Sequence, residues 1–239
     1  MKPYNQQQSK KEQVEEMFDN IAPTYDKLNH IMSLNIDRMW RSRVVRIVKR
    51  SKPQRVMDVA TGTGDLAIAM ARSMSDLRVV GVDLSEEMLA VAARKVERDG
   101  LSECIELHKC DAEQLDVVAD GSMDMATVAF GVRNFENMER GLAEIYRTLK
   151  SDGRLIVLEF SIPRNRFIRW VYAQYSHRLL PRIGAMISKD KQAYTYLPES
   201  VEEFPSPERF SEILQSVGFR SVRRRSQSFG IAYIYEALK

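Results

Sequence analysis

The chain has few cysteines, no long apolar run and little net charge, and each deficit excludes a class of protein. Cys104 and Cys110 are its only cysteines, and on one strand they would lie about 20 Å apart, too far for a disulfide. No apolar run approaches the roughly 18 residues of a membrane span, and the polar N-terminus does not resemble a signal peptide. A net charge of +3 is too small for a typical nucleic-acid protein. We therefore expect reduced thiols, a cytoplasmic location and no nucleic-acid partner.

Several patterns of reactive residues are also missing. No spacing of His, Cys, Asp or Glu is typical of a metal site. The Pro-Cys pair of cytosine-carbon methylases is absent, as is the Asn or Asp followed by Pro-Pro and an aromatic of DNA amino-methylases, so a nucleobase substrate is not expected. Among the histidines, His108 falls in a predicted strand, whereas His30 and His177 are either general bases or polar surface residues.

A short apolar run that ends in a glycine-containing turn is the most informative feature present. Residues 56–59 read as a buried strand, and Gly62 and Gly64 follow where the chain turns into a helix. Glycine suits this place because it has no Cβ to hinder unusual dihedrals or a close ligand. A second strand is predicted about twenty residues further along the chain, at Val79-Val80-Gly81-Val82-Asp83. Its terminal carboxylate is placed to accept hydrogen bonds from both hydroxyls of a ribose. The two segments predict a site for a nucleoside-bearing cofactor.

Two cofactor classes fit this turn. The spacing Gly62-x-Gly64-x-x-Ala67 also satisfies the loose dinucleotide fingerprint. A dinucleotide would place its pyrophosphate on the loop and helix start, where Asp58 and Asp65 would repel it. The same carboxylates suit S-adenosylmethionine, whose sulfonium and ammonium groups are positive. We therefore predict S-adenosylmethionine as the cofactor, with Asp58, Gly62 and Gly64 among the residues that bind it.

Apolar periodicity predicts alternating strands and helices after residue 54. The predicted order is strand 55–60, helix 65–73, strand 78–82, helix 85–99, strands 104–109 and 123–130, helix 137–149, strand 154–159, helix 206–217 and strands 219–225 and 231–238. This order indicates an α/β, Rossmann-like fold with a mostly parallel seven-stranded sheet and an antiparallel C-terminal strand. By analogy between folds, such an end is more typical of the methyltransferase variant of the doubly wound fold than of dinucleotide dehydrogenases. We expect one domain over residues 1–239, with an N-terminal helical cap at about 10–50 and a helical insertion at about 162–205.

Residues just after each strand are the candidates for ligand contact, because doubly wound sheets bind ligands at that edge. Asp83 with Leu84 follows the second strand, and Asp111 with Ala112 follows the third. The Asp111 carboxylate either accepts a hydrogen bond from the adenine amino group or caps the N-terminus of a helix.

The turn after the fourth strand lies beside the place expected for the sulfonium methyl. Arg133 remains protonated, so we assign it to stabilising a phenolate or polarising a water; the alternative is a surface ion pair with Glu136 or Asp152. Asn134 would orient the acceptor ring or the donor.

A basic and aromatic segment follows the fifth predicted strand. Its arginines alternate with apolar residues: Arg164, Arg166 and Arg169 with Phe167, Ile168, Trp170, Val171 and Tyr172. This pattern is typical of a helix at an anionic bilayer surface. It is equally typical of a core helix with a charged outer face.

The chain resembles the ubiquinone/menaquinone biosynthesis C-methyltransferase family over nearly its whole length. The resemblance is carried by residues 25–33 with Trp40-Arg41 behind them, by Phe130-Gly131-Val132-Arg133-Asn134 and by residues 153–161. One departure is that the family often has Gly and His after Met-Ser, where this chain has Asn35 and Asp37.

The resemblance implies a class I methyltransferase that uses S-adenosylmethionine to methylate a ring carbon of a polyprenylated quinol, usually demethylmenaquinol. Donor binding would fall on Thr63, Asp83, Asp111 and Ala112, while Arg133, Asn134 and Tyr25 would face the ring. A long isoprenoid tail keeps such an acceptor in the bilayer, so peripheral contact with the inner face of the cell membrane is expected. The sequence leaves a homodimer open.

Other functions remain open from the sequence. Within methyltransferases, the ring is either a naphthoquinol or the benzoquinol precursor of ubiquinone, and O-methylation of a small phenol is the next alternative. Outside that class, an NAD-type oxidoreductase and a nucleotide-binding regulator without catalysis also fit the glycine turn.

Overall fold

A seven-stranded sheet forms the centre of the protein. The computed structural model describes residues 2–4, 7–33, 35–175 and 192–239, without the side chains of residues 28, 30–32 and 192–194. The strands are β1 Arg55–Val59, β2 Arg78–Asp83, β3 Ile105–Lys109, β4 Met123–Ala129, β5 Leu149–Phe160, β6 Arg220–Gln227 and β7 Ala232–Leu238. Their spatial order is β3-β2-β1-β4-β5-β7-β6. Strand β7 runs antiparallel to β5 and β6, whereas β1 to β5 pair in parallel. The predicted fold class is confirmed.

Helices pack against both faces of this sheet. They are α1 Lys10–Ile21, α2 Tyr25–Met32, α3 Ile36–Ser51, α4 Asp65–Ser73, α5 Glu86–Arg98, α6 Met138–Thr148, α7 Arg166–Gln174, α8 Gln192–Glu203 and α9 Pro207–Val217. One buried cluster joins alternate strand residues to α6 and α9, and a second joins the opposite face to α3 and α4. A third, smaller cluster packs α1 against α5 and Tyr196. Helix α1 lies over the carboxyl edge of the sheet, where a ligand is expected, since Lys11 and Glu15 pair with Asp111 and Lys109 at the end of β3.

Local signals explain where several helices begin. Ser9 and Glu12 form a capping box at the start of α1, so two backbone N–H groups that the helix leaves unpaired are satisfied. The Ser85 hydroxyl accepts a hydrogen bond from the Met88 N–H at the start of α5. Ser206 with Pro207 behind it begins α9.

Most predicted bounds agree with the structure to within one or two residues, and the differences have local causes. Within the predicted helical cap, Pro23 lies in a single 3₁₀ turn between α1 and α2, and α2 begins directly at Tyr25. Strand β5 begins at Leu149 and not at residue 154 as predicted, because residues 150–153 form a bulge inside the strand, with Asp152 at φ +61°.

Two further sequence expectations concern cysteines and membrane spans. Cys104 and Cys110 are free thiols on either side of β3, as predicted. Among the described residues, no helix has the length and apolar content that a transmembrane span needs.

Candidate active site

Two strained turns meet at the carboxyl edge of the sheet, after β1 and β4. Ala60 and Phe130 both adopt left-handed backbone conformations, with φ of +53° and +61°. A Cβ on Gly131 would lie 2.5 Å from the Ala60 Cβ, so only glycine allows this approach. Non-glycine residues in this region cost about 1–3 kcal/mol each and are concentrated at functional sites. The turns mark the centre of the candidate site.

A narrow cavity opens beside the first turn and is bordered by Asp83. The Asp83 carboxylate accepts hydrogen bonds from the Gly62 N–H at 2.7 Å and the Ser85 N–H at 2.9 Å. Burial raises the pKa of Asp83 to about 6, against the lowering effect of these hydrogen bonds. A Cβ added to Gly62 would meet nothing within 4 Å, so the space beside this glycine is open to a ligand. We call this space the donor cavity.

The predicted cofactor residues divide into those that line the donor cavity and those that shape its loop. Five of them line it: Gly62, Asp83, Leu84, Asp111 and Ala112. Asp58, Thr63 and Gly64 do not.

The three residues outside the lining face other parts of the protein. The Asp58 carboxylate lies within the sheet and accepts hydrogen bonds from the Thr61 and Thr127 hydroxyls at 2.7 and 2.6 Å. Burial raises the pKa of Asp58 to about 6. Gly64 packs against α5, where its added Cβ would meet the Ala92 Cβ at 3.2 Å.

The expectation that Asp58 and Asp65 give the cavity its negative character is wrong. Asp65 points away from the cavity and pairs with Lys95 at 2.5 Å and with Arg41 at 3.1 Å. The Thr63 hydroxyl likewise donates to Asp26, at 2.5 Å. Other acidic residues line the donor cavity, with Lys11 as the basic residue of the lining: Glu15, Asp83, Asp111, Glu113 and Glu136. The cavity therefore favours a cation, but through residues on β2, α1 and the loops after β3 and β4.

Helix α1 forms a roof over the donor cavity. Lys11 pairs with Asp111 at 2.6 Å, and the Lys10 ammonium donates to the carbonyl groups of Arg133 and Phe135 at 2.9 and 2.8 Å. Burial lowers the pKa of Lys10. The cavity under this roof holds only about 90 Å³, below the roughly 300 Å³ of a typical ligand site. The polar contacts of Lys10 and Lys11 therefore hold α1 across a cavity of small volume.

A larger, aromatic cavity of about 280 Å³ adjoins the donor cavity. The two share four lining residues, which are Phe18, Tyr25, Phe130 and Asn134. Phe130 stacks on Phe160 with a centroid distance of 4.4 Å, and Trp40 packs against both rings. We call this space the ring cavity, because aromatic walls of this kind suit a flat ligand.

Arg133, Asn134 and Tyr25, the three residues expected to face the acceptor ring, all line the ring cavity. The Arg133 side chain is only 7% exposed and pairs with the fully buried Glu159 at 2.7 Å. A surface ion pair, the stated alternative, is therefore wrong. The Asn134 side-chain oxygen accepts a hydrogen bond from the Tyr196 hydroxyl at 3.2 Å. Burial raises the pKa of Tyr25.

Sequence reasoning missed several polar residues of the site. Asp37 and Arg41 of α3 line the ring cavity, and Glu159 supports Arg133 from behind. Their signal was weak, because Arg41 appeared only inside a segment quoted for the resemblance, and Glu159 was considered only for its place at the carboxyl end of the fifth predicted strand. The His30 side chain and all of His177 lie outside the described residues, and His108 is half-buried on β3, near Glu106.

Comparisons with known proteins identify the family of this chain. A model of the ubiE/COQ5 methyltransferase family matches residues 6–239. The chain is 44% identical over 239 residues to a demethylmenaquinone methyltransferase of Bacteroides fragilis, covering 100% of this chain and 97% of that protein. It is 44% identical over 231 residues to a ubiquinone/menaquinone biosynthesis C-methyltransferase UbiE of Geobacter sulfurreducens, covering 96% and 90% of the two chains.

Solved structures give the same fold at low sequence identity. A SAM-dependent methyltransferase of Thermotoga maritima aligns with a TM-score of 0.62 and 20% identity, over 94% of this chain and 99% of that one. The predicted enzyme class, a C-methyltransferase, and the predicted cofactor, S-adenosylmethionine, are confirmed. With the family match over residues 6–239 and these relatives, we conclude that the chain belongs to the ubiE/COQ5 methyltransferase family.

Proposed function

We propose that this protein methylates a ring carbon of a polyprenylated quinol, most directly demethylmenaquinol to menaquinol in menaquinone biosynthesis. The observation that best supports this reaction is the aromatic ring cavity, which meets the donor cavity at Tyr25, Phe130 and Asn134. A flat apolar ring bound there would lie beside the methyl group of a donor in the acidic cavity. The names of the relatives from Bacteroides fragilis and Geobacter sulfurreducens support the same chemistry.

The residues of the donor cavity fit S-adenosylmethionine, which supplies an electrophilic methyl group on a positive sulfur. In the proposal, Asp83 accepts hydrogen bonds from the ribose hydroxyls, and the open space beside Gly62 lets the ligand approach the backbone. Leu84 and Ala112 border the adenine. Asp111 accepts a hydrogen bond from the adenine amino group once the ion pair between Lys11 and Asp111 opens. Asp58, Thr63 and Gly64 act indirectly, by fixing the loop on which Gly62 lies.

Arg133, Asn134 and Tyr25 act on the ring in this proposal. Carbon methylation needs electron density at the carbon next to a ring hydroxyl, which a developing phenolate supplies. The Arg133 guanidinium, held by Glu159 and by the Phe130 carbonyl at 2.5 Å, stabilises that negative charge from a fixed position. Asn134 and Tyr25, which border both cavities, orient the ring towards the donor.

The decisive experiment incubates the protein with methyl-labelled S-adenosylmethionine and a panel of reduced acceptors. The panel holds demethylmenaquinol with a short prenyl tail, the matching demethylated benzoquinol and a small catechol. We expect label on a ring carbon of the naphthoquinol, identified by mass fragmentation. Label on the benzoquinol alone would favour the ubiquinone pathway, and label on a catechol oxygen would favour O-methylation and contradict the proposal.

Peripheral membrane contact, at the inner face of the cell membrane, is the second part of the proposal. Phe167 and Trp170 on α7 are 71% and 61% exposed, and Phe229 on the β6–β7 turn is 81% exposed. Gly230 of that turn approaches Pro163, just before α7, so the three rings lie on neighbouring segments, which we call the aromatic surface. Arg166 on α7 is exposed as well. Exposed aromatic and basic side chains together suit an anionic bilayer interface.

Sedimentation with vesicles tests this contact. The double variant Phe167→Ala, Trp170→Ala should bind phosphatidylglycerol-containing vesicles at least tenfold more weakly than the parent. Val117→Ala removes an exposed apolar group elsewhere and should bind as the parent does. Equal binding of the double variant and the parent would contradict the proposed surface. Sedimentation equilibrium tests whether the protein forms a homodimer, which the sequence leaves open.

A further inference from the structure

Carbon methylation needs the electron density of a developing phenolate, so a group in the ring cavity that receives the ring-hydroxyl proton promotes the reaction. Its described tyrosines are poor acceptors because they keep their own protons: burial raises the pKa of Tyr172 and Tyr196 to about 12 and also raises that of Tyr25 and Tyr175. Arg133 is a cation and lacks a lone pair for the task. Among the described lining residues, Asp37 is the one carboxylate.

Asp37 is held firmly in the wall of the ring cavity. It lies in the first turn of α3, its side chain is 5% exposed, and it contacts the Ser33 hydroxyl and the Arg41 guanidinium. A carboxylate has about four lone-pair sites, so it can accept hydrogen bonds from several donors at the same time. In an apolar cavity, a fixed acceptor of this kind strongly favours a ligand that carries a hydroxyl.

A network of ion pairs surrounds Asp37 and holds its side chain in place. Arg41 bridges from Asp37 to Asp65 of α4 at 3.1 Å, and Asp65 pairs with Lys95 of α5 at 2.5 Å. Lys95 also pairs with Asp26 of α2. The other titratable groups facing the ring cavity are Arg133 and Tyr25, Tyr172, Tyr175 and Tyr196.

We propose that Asp37 is the proton acceptor for a ring hydroxyl of the acceptor bound in the ring cavity, an inference that rests on the proposed function. The hydroxyl O–H bond breaks and its proton passes to the Asp37 carboxylate, while the oxygen electron pair moves into the ring. The adjacent ring carbon forms a bond to the methyl carbon, and the electron pair of the carbon–sulfur bond goes to sulfur. Water then takes the proton of the methylated carbon, and Asp37 returns its proton to the ring oxygen. One proton is released in total.

The test compares the parent with Asp37→Asn and Asp37→His, using demethylmenaquinol with one isoprene unit, kept reduced, at saturating S-adenosylmethionine. General base catalysis contributes about 10²–10⁴-fold, so kcat of Asp37→Asn should fall at least 100-fold across the pH range. Its affinity for S-adenosylmethionine should stay within threefold of the parent. Asp37→His should recover activity, with the acid limb of its kcat profile moved upward towards about 6.5, the ordinary pKa of imidazole. Ser33→Ala, which removes one orienting hydrogen bond, should lose no more than tenfold.

Each outcome decides the inference. Turnover of Asp37→Asn within threefold of the parent would overturn it, as would an active Asp37→His whose acid limb coincides with that of the parent. Equal loss of donor affinity and turnover in Asp37→Asn would assign Asp37 to the ion-pair network alone, and would also overturn it. A parent enzyme that leaves the quinol unmethylated contradicts the proposed function, whereas a parent that methylates it as fast as Asp37→Asn contradicts only the proton transfer.

Discussion

At the scale of single residues, the buried pair of Arg133 and Glu159 joins stability to function. Arg133→Ala would leave the Glu159 carboxylate charged and without its guanidinium partner in the interior. Removing one partner of a buried ion pair costs about 3–5 kcal/mol, so the free energy of unfolding in urea should fall by about that amount. Turnover should be lost, while affinity for the donor is retained in the folded fraction.

Two further variants separate the ion-pair effect from a general loss of an arginine. In the double variant Arg133→Ala, Glu159→Gln, the stranded charge is gone, so at least half of the lost stability should return while turnover remains absent. Arg209→Ala breaks an exposed pair with Glu212 and should change the free energy of unfolding by less than about 1 kcal/mol. Equal stability of Arg133→Ala and Arg209→Ala would contradict the buried pair.

Asp83 gives a prediction about the pH dependence of donor binding. Its pKa in the folded protein is about 6, so the carboxylate loses its charge as the pH falls through this value. Affinity for the cationic donor should therefore be constant above about pH 7 and decline below pH 6, as measured by calorimetry. The stability effect has the opposite sign: since folding raises the pKa of Asp83, this group favours the folded state below about pH 4, and that contribution is lost as the pH rises through 6.

Replacement of Asp83 provides the matching control. Asp83→Ala should weaken donor binding by about 10-fold or more, since hydrogen bonds to charged groups contribute about 1.5–3 kcal/mol, and the acid-side decline should disappear. Asp120→Ala removes an exposed carboxylate paired with Arg147 and should bind the donor as the parent does. Unchanged donor affinity in Asp83→Ala would refute the ribose assignment.

At the scale of secondary-structure elements, Lys95 links α2 to the turn that contains Gly62 and Gly64. Its ammonium pairs with Asp26 of α2 at 2.9 Å and with Asp65 of α4 at 2.5 Å, and Asp26 accepts from the Thr63 hydroxyl. Lys95→Met should lower the free energy of unfolding by about 1–3 kcal/mol and speed hydrogen exchange of the amides of α2. Arg98→Met, on the same helix but 69% exposed, should change either quantity little. Unaltered exchange in Lys95→Met would show that α2 is held by apolar packing alone.

The same network shows which parts of the molecule the sequence could predict. The strand, turn and helix around Gly62 and Gly64 follow from local periodicity and turn chemistry, so their bounds were predictable. The direction of Asp65 was not, because its partners Arg41 and Lys95 lie 24 and 30 residues away along the chain. The inward position of Arg133 likewise depends on Glu159, on a neighbouring strand. Cavities are formed by such long-range pairs, which periodicity does not reveal.

At the scale of the whole molecule, two joined cavities on one sheet edge set a requirement for the ligand. The donor cavity is lined by five carboxylates and one lysine, so it should reject a pyrophosphate, although the glycine turn alone fits a dinucleotide. A ligand at 100 times its dissociation constant stabilises the folded state by about 2.7 kcal/mol. For a chain of this size that corresponds to a rise in Tm of about 5–11 °C, which we expect with S-adenosylmethionine. With NAD at the same concentration, Tm should stay within about 1 °C of the value without ligand, as expected when nothing binds. A rise in Tm with NAD comparable to that with S-adenosylmethionine would show that the acidic lining does not select the donor.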